Sequence, residues 1–447
     1  MANDASLITY VREVPVQREA DVVVIGGGSA GLNAAVAAAR AGCRVTLIER
    51  YGFLGGTSTA VLDTFYGFFT PGSEPRRVVG GIPMEVVNAL FDHRAAMYRP
   101  NTYGAGTGIT YNPAVLKRVW DELVTRAGVD LLLHAFCVDV LAEGGEVRGV
   151  IVATKAGLVC VRGRVYVDAS GDADVAARAG AAVESAYATG EVQSATTTFT
   201  LGGVDVPQAA SVPRAEFVRL LQEAAASGEY DLPRKEGSIH RTPLPDVMVA
   251  NMTRVPNVDG TDPASLTRAE LEGRRQVGEY ARFLIERVPG YERAYLAAVG
   301  IQIGIRESRR LVGAYRLTKE DVLAARKFPD GIAQCGAPIE DHHSGHDTHW
   351  QYLPEGEVYD IPYRALLPVE VENLLVAGRC LSATHDAHAS CRGMAQCMAM
   401  GQAAGVAAAM AARKDSACSD VDVIALRTRL HDMGAILDGG RPAPELL

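Results

Sequence analysis

The chain has 447 residues, 46 of them glycine, with 48% hydrophobic and 22% charged residues; this globular composition suits about three folding units and excludes a disordered or low-complexity protein. Lys and Arg number 44 against 53 Asp and Glu, a net charge of -9, which excludes gripping a phosphodiester backbone as the main task, so no nucleic acid partner is expected. The first residues show no basic start followed by an apolar run, so a cytoplasmic location is expected, and eight cysteines without a CxxC pair read as mostly buried thiols rather than a disulfide framework or zinc ribbon.

In chain order, residues 21–25 (DVVVI) form a β-branched run without polar alternation, the pattern of a parallel strand covered on both faces. After GGGSAG, residues 32–41 are almost all strong helix formers and 44–49 (RVTLIE) read as a second strand, giving a βαβ unit. The runs 129–140 and 147–154 read as strands of a hairpin turning at Glu143-Gly144-Gly145-Glu146, and 164–168 (RVYVD) as another buried strand. From about 194 to 358 prolines and charges are denser, and an amphipathic helix is expected over 266–288. A buried strand at 373–377 (NLLVA) and a long Ala-rich helix from about 393 return to the first pattern.

The expected fold is therefore α/β, a Rossmann-like domain with a parallel sheet formed by 18–193 and 359–414. An α+β substrate or cap domain, 194–358, is inserted into it, and a C-terminal helical segment, 415–447, follows. The uncharged stretches 22–39 and 393–412 are rich in Gly and Ala rather than Leu, Ile or Phe, so buried helices are expected there and not membrane spans. Gly401 and Gly405 within the second would permit close packing against a sheet or a ligand.

Gly26, Gly28 and Gly31 form GxGxxG directly after a strand and at the opening of a helix, with Glu49 ending the next strand 18 residues beyond Gly31. The first glycine allows the tight turn, the second lets backbone N–H groups reach a pyrophosphate, and the third lets helix and strand pack closely. Glu49 can accept bonds from ribose hydroxyls and would repel a 2'-phosphate, which disfavours NADP. This much points to a dinucleotide without separating NAD from FAD.

Further blocks make that separation: GFLGGTSTA (52–60), VVGGIP (78–83), VYVDASGDADVAARAGA (165–181), QIGIRESRRLVGAYRLTKEDV (302–322) and NLLVAGRCLSATHDAHASCRGMAQCMAMGQAAG (373–405). With the first motif, they make the chain resemble the FAD-dependent oxidoreductases of the glutathione-reductase superfamily, most closely those related to the fumarate reductase and succinate dehydrogenase flavoproteins. The resemblance implies FAD, with Gly26, Gly28, Ser29, Ala30 and Gly31 at the pyrophosphate and Glu49 and Arg50 at the adenosine end. It places Gly55, Gly56 and the hydroxyls of Thr57, Ser58 and Thr59 along the phosphate, ribitol or flavin edge. Val138 would read adenine through its main chain, and Ala169, Ser170, Gly171 and Asp172 would pass close to the adenosine. Gly378 and Arg379 would contact ribitol and pyrophosphate, and the free N–H groups of Gly393, Met394 and Ala395 would face flavin N1/O2. GFLGGTSTA has no histidine like the one that carries flavin in succinate dehydrogenase, so noncovalent FAD is implied.

In the fumarate reductase relatives an Asn-Arg-Leu-Gly-Gly run supplies an arginine for a substrate carboxylate; here the place reads Cys391-Arg392-Gly393-Met394, so Arg392 is implied as the catalytic cation. The rest of that pattern is absent, and succinate or fumarate is not the expected substrate. His385 and His388 in SATHDAHAS read either as acid–base groups or as histidines satisfied by backbone carbonyls. Arg306, Arg309 and Arg310 would share a helix face; the favoured strand reading sets Arg306 and Arg310 together opposite Arg309, as an anion clamp or as a network with Glu307. Four of the ten histidines fall within 342–349, a loop open to metal-binding, substrate-contacting or solvated readings; no metal site is expected. Trp350 and Tyr352 would line the same pocket.

The expected activity is hydride transfer between a small organic substrate and flavin N5, in the direction of a dehydrogenase. Reduction of an activated C=C bond, flavin monooxygenation and a non-catalytic redox module are the alternatives. An electron acceptor or donor that the sequence does not identify is required, and a homo-oligomer is compatible with it.

Overall fold

The computed structural model describes residues 8–342, 348–443 and 446. Strands β1 (Val22–Ile25), β2 (Val45–Ile48), β3 (Asp130–Leu132), β4 (Val165–Asp168) and β5 (Leu374–Val376) make one parallel sheet in the order β5-β4-β1-β2-β3. Every residue of β1, β2, β4 and β5 is buried, the reason their sequences are unbroken apolar or β-branched runs. The register aligns Ile25 with Ile48 and Asp168, and Asp168 with Val376. The loops leaving β1, β2, β4 and β5 consequently meet at one sheet edge, where open α/β sheets place their ligands.

Helix α1 (Ser29–Arg40) follows β1, and α2 (His385–Cys391) and α3 (Met394–Lys414) follow β5. A Cβ on Gly401 would stand 2.0 Å from the Ala30 carbonyl oxygen, and one on Gly405 2.1 Å from that of Ala34. These two glycines therefore let α3 lie directly on α1, a helix rather than the sheet or ligand contact expected from the sequence.

The run 129–140 is two elements and not one strand. After β3, His134 takes φ +53° and the chain leaves the parallel sheet for a strand, Phe136–Glu143, which pairs antiparallel with Glu146–Thr154 across Gly144 and Gly145. Strand Gly157–Arg162 continues this layer and pairs in parallel with Val16–Glu19 near the N-terminus.

The inserted segment has a hydrophobic core of its own between Phe199 and Tyr291. It is formed by a four-stranded antiparallel sheet and the helix Pro263–Arg287. Asp262 caps that helix by accepting from the Ala264 and Ser265 N–H groups, and Pro263 sets its first turn, so it begins three residues before the apolar periodicity shows. Residues from Leu317 to Leu353 pack into the first domain's core instead, through Gly331–Cys335 paired with Tyr359–Pro362. The self-contained part of the insertion is thus narrower than 194–358. At the C-terminus, helix Val423–Asp432 precedes a short strand, Arg441–Pro442, that pairs with Arg76–Arg77.

Among the described residues no helix is long and apolar enough to cross a membrane. Seven cysteines are buried, Cys43 is half-buried, and all eight are free thiols.

Candidate cofactor and substrate site

A cleft opens at the sheet edge between the β1–α1 turn and the inserted segment. Its wall includes Gly26, Gly28, Ser29, Ala30, Glu49, Arg50, Gly56 and Thr57, then Ala169, Ser170, Gly171 and Asp172, then Gly378, Arg379, Arg392, Gly393 and Met394. Gly26 has φ +101°, and a Cβ on it would stand 2.4 Å from the Ala169 carbonyl oxygen. Gly31 does not line the cleft; a Cβ there would collide with the Gly26 carbonyl oxygen at 1.8 Å, so its role is to seat α1 against the turn.

Glu49 is 5% exposed. Its Oε2 accepts from the Gly27 N–H at 2.7 Å and its Oε1 from the Tyr51 N–H at 2.8 Å. Burial raises its pKa and these bonds oppose the rise. The carboxylate is fixed by backbone with lone pairs left over for ribose hydroxyls. Helices α1 and α3 begin at Gly28 and Gly393, and neither has a side-chain cap bond. Their first N–H groups and positive dipole ends therefore face one cleft. A Cβ on Gly56 would stand 2.9 Å from the Gly28 Cα, filling the gap between the two loops. An acidic ribose acceptor, two uncapped helix ends and a cradle kept open by glycine together fit FAD.

Several residues assigned to the cofactor from the sequence do not reach the cleft. Ser58 Oγ donates to the Gly55 carbonyl at 2.7 Å and Thr59 Oγ1 to that of Leu54 at 2.6 Å, so both hydroxyls close the local turn and Thr57 alone faces inward. Gly55, at φ +115°, makes the turn itself. Ala395 is buried within α3. The Val138 carbonyl accepts from Arg178 Nε at 3.1 Å and does not line the cleft. Arg379 is paired with Asp172 Oδ1 at 2.7 Å; despite burial, that guanidinium and the Ser308 hydroxyl hold the Asp172 pKa down.

Of the five residues proposed for chemistry, Arg306 and Arg392 line the cleft and Arg310, His385 and His388 do not. The strand expected across 306–310 covers only Arg309–Leu311, and Arg306 lies in the preceding loop, so Arg306 and Arg310 part company. Arg310 is almost fully buried and pairs with Glu184 at 2.6 Å and Glu307 at 3.2 Å. His385 sits between Glu307 (2.8 Å) and Asp341 (3.2 Å); burial opposes its charge, but the two carboxylates prevail and raise its pKa to about 9. His388 is fully buried, and its Nε2–H donates to the Arg379 carbonyl at 2.7 Å. Burial, then the charges of Arg310 and Arg392, push its pKa well below the usual value and keep it neutral. These three residues form a buried polar network beneath α2.

Arg306 Nη1 donates to the Ser194 carbonyl and Thr196 Oγ1, both at 2.6 Å. Arg392 Nη2 donates to Gln193 Oε1 at 3.0 Å and the Glu340 carbonyl at 3.4 Å. Among the described residues neither guanidinium is paired with a carboxylate. Burial, then the neighbouring Arg392, weigh against the positive charge on Arg306. The nearby Glu340 carboxylate is engaged by His342 Nε2–H at 3.1 Å, and His342 Nδ1 accepts from Arg254 at 3.1 Å. Burial and Arg306 lower the His342 pKa to about 3, so this imidazole is neutral.

His343 and His346 of that loop lie outside the described residues, and among the described residues no cluster of three or more metal-ligating side chains is present. Trp350 and Tyr352 stack on each other, the Tyr352 hydroxyl accepts from the Gly104 N–H, and neither lines the cleft.

Sequence reasoning missed a histidine that the fold brings to the cleft. His240 Nε2 lies 3.0 and 3.2 Å from the two carboxylate oxygens of Asp63 and 3.2 Å from Thr64 Oγ1. The His240 and Asp63 side chains are 9% and 6% exposed, both line the cleft, and His240 Nδ1 has no partner among the described residues. No spacing in the chain signals this pair, because one residue belongs to each domain.

Comparison with known proteins gives three findings. Residues 21–430 match the family model described as FAD dependent oxidoreductase. Digeranylgeranylglycerophospholipid reductase 2 of Methanopyrus kandleri is 35% identical over 159 residues, 34% of this chain and 38% of that relative. Among solved structures, a geranylgeranyl bacteriochlorophyll reductase-like protein from Thermoplasma acidophilum aligns with TM-score 0.47 and 13% identity over 93% of this chain and 83% of its own. The flavin-dependent brominase Bmp2 aligns with TM-score 0.45 and 16% identity over the same shares. With the match spanning both the glycine-rich turn and the helices that close the cleft, the chain belongs to the FAD-dependent oxidoreductase family.

Proposed function

We propose that this oxidoreductase is a dehydrogenase that moves a hydride between an anionic organic substrate and flavin N5. The observation that carries the reading is the pair of arginines, Arg306 and Arg392, lining the cleft at the N-terminal end of α3 without a carboxylate partner among the described residues. Bound noncovalently, FAD supplies the two-electron acceptor. Arg306 and Arg392 orient a carboxylate or similar anion, since a desolvated cation gains most from a counter-ion it lacks. His240 exchanges the proton of a substrate alcohol or amine, while Asp63, 3.0 Å away, orients the ring. The N–H groups opening α3 favour negative charge at the N1/O2 position.

The same residues would serve the reductive direction, with His240 giving up a proton; the Methanopyrus kandleri relative is by name a reductase. The test is anaerobic titration of the holoprotein with 2-hydroxy acids, amino acids and neutral alcohols, and of the reduced holoprotein with unsaturated carboxylates. Bleaching by an anionic donor supports the dehydrogenase, and reoxidation by an unsaturated acid supports the reductase. Response to neutral alcohols alone would sink the anionic-substrate reading.

A further inference from the structure

Behind the wall of the cleft lies a second cavity of about 230 Å³. Val61, Leu62, Asp63, Thr198 and Val249 line both spaces, so the two adjoin there. The polar side chains around the second cavity are largely turned into its walls. Tyr111 donates its hydroxyl to the Ser58 carbonyl at 2.9 Å, Thr242 to that of Val247 at 3.1 Å, and Thr198 to that of Val61. Asp63, the one charged residue of the lining among the described residues, turns its carboxylate oxygens to His240. What faces the void is chiefly hydrocarbon, and it excludes a charged or strongly hydrated occupant.

The cavity is smaller than the roughly 300–1,000 Å³ of a self-sufficient small-molecule pocket, so it suits part of a ligand whose remainder lies elsewhere. Leu244 and Ile301, which also line it, are 44% and 53% exposed, giving it an apolar mouth on the protein surface.

We infer that this cavity receives the uncharged hydrocarbon tail of the substrate whose anionic, reacting end lies at Arg306 and Arg392. The inference rests on the anionic-substrate reading of the cleft. The substrate class is thereby an amphiphile, an acid carrying an alkyl or alkenyl chain, and Val61 and Thr198, which line both spaces, border its chain. No bond changes in the tail; its burial contributes affinity and positions the head.

Thr200 and Ala298 are cross-strand neighbours that both line the cavity. Isothermal titration of the FAD-loaded protein with butanoate, hexanoate, octanoate and decanoate should show affinity rising about fourfold per added methylene until the cavity is full. Thr200→Trp should abolish the gain while leaving butanoate binding and FAD content unchanged. Ala298→Trp, on an exposed edge strand, gives the same test should the first variant misfold. Equal affinity along the series, a gain that survives both tryptophans, or no binding at any length overturns the inference. If decanol binds like decanoate, loses affinity in the tryptophan variants and is indifferent to Arg306→Ala, the tail site stands and the anionic reading of the cleft falls.

Discussion

His240 and Asp63, separated by 177 positions in the chain, meet at 3.0 Å in the wall of the cleft. His240 comes from the inserted sheet and Asp63 from the segment that follows the glycine-rich loops of the dinucleotide domain. Docking the insertion therefore does more than roof the cofactor; it assembles an imidazole–carboxylate pair in a space both domains must close.

His240→Gln removes the imidazole of that pair while keeping an amide of similar reach. Turnover should fall about 100- to 10,000-fold, the usual contribution of a positioned acid or base, with FAD content unchanged. Asp63→Asn should fall less, since it removes the carboxylate that orients the ring but leaves the ring. A His240→Gln enzyme with parent-like kcat would place proton transfer on another group.

Arg392→Ala should impair turnover more than FAD content, because the N–H groups opening α3 stay in place while a desolvated cation is lost. Removing one preorganised electrostatic group commonly costs about 100- to 1,000-fold in rate, whereas an arginine in a surface ion pair contributes about 1 kcal/mol of stability or less. A variant with normal turnover and only a lower melting temperature would assign Arg392 to structure.

The central sheet was legible because β1, β2, β4 and β5 are buried on both faces and therefore advertise themselves as continuous apolar runs. Val16–Glu19 was not, since its sequence, VQRE, is mostly exposed and its pairing with Gly157–Arg162 is made by backbone. The break at His134 was hidden too, because only a few per cent of non-glycine residues take a left-handed backbone and the apolar run on either side of it gives no sign of one. The glycine-rich turn and Glu49 could be read as local spacing. Which way a side chain faces could not: Thr384 caps α2 by accepting from the Ala387 N–H, and that start aims His385 at Glu307 and Asp341 instead of the cleft.

Glu49→Gln should weaken FAD retention while the fold survives. Glutamine keeps the shape, but it replaces charge-assisted bonds to ribose hydroxyls, each contributing about 1.5–3 kcal/mol. The carboxylate is already bound by the Gly27 and Tyr51 N–H groups, so part of the effect will come from a loosened turn. Acid should release FAD, and not FMN, from the parent protein, and equilibrium dialysis against FAD measures the loss in the variant. Retention equal to the parent's would remove the ribose assignment.

The stability of the network beneath α2 should depend on pH in one direction. Glu307 and Asp341 flank His385, with Arg310 and the neutral His388 packed on the Glu307 side, and the two carboxylates lift the His385 pKa from 6.5 to about 9. The folded protein thus holds this proton more tightly than the unfolded chain. The stabilisation is complete below the unfolded value, declines as pH rises between the two, and is lost above the folded one. His385→Gln, which cannot ionise, should therefore melt furthest below the parent at about pH 6, and the gap should narrow by about pH 10. Differential scanning calorimetry of both proteins across that range checks the sign. A gap that widens with pH would mean that His385 is neutral in the folded protein and that another group answers Glu307.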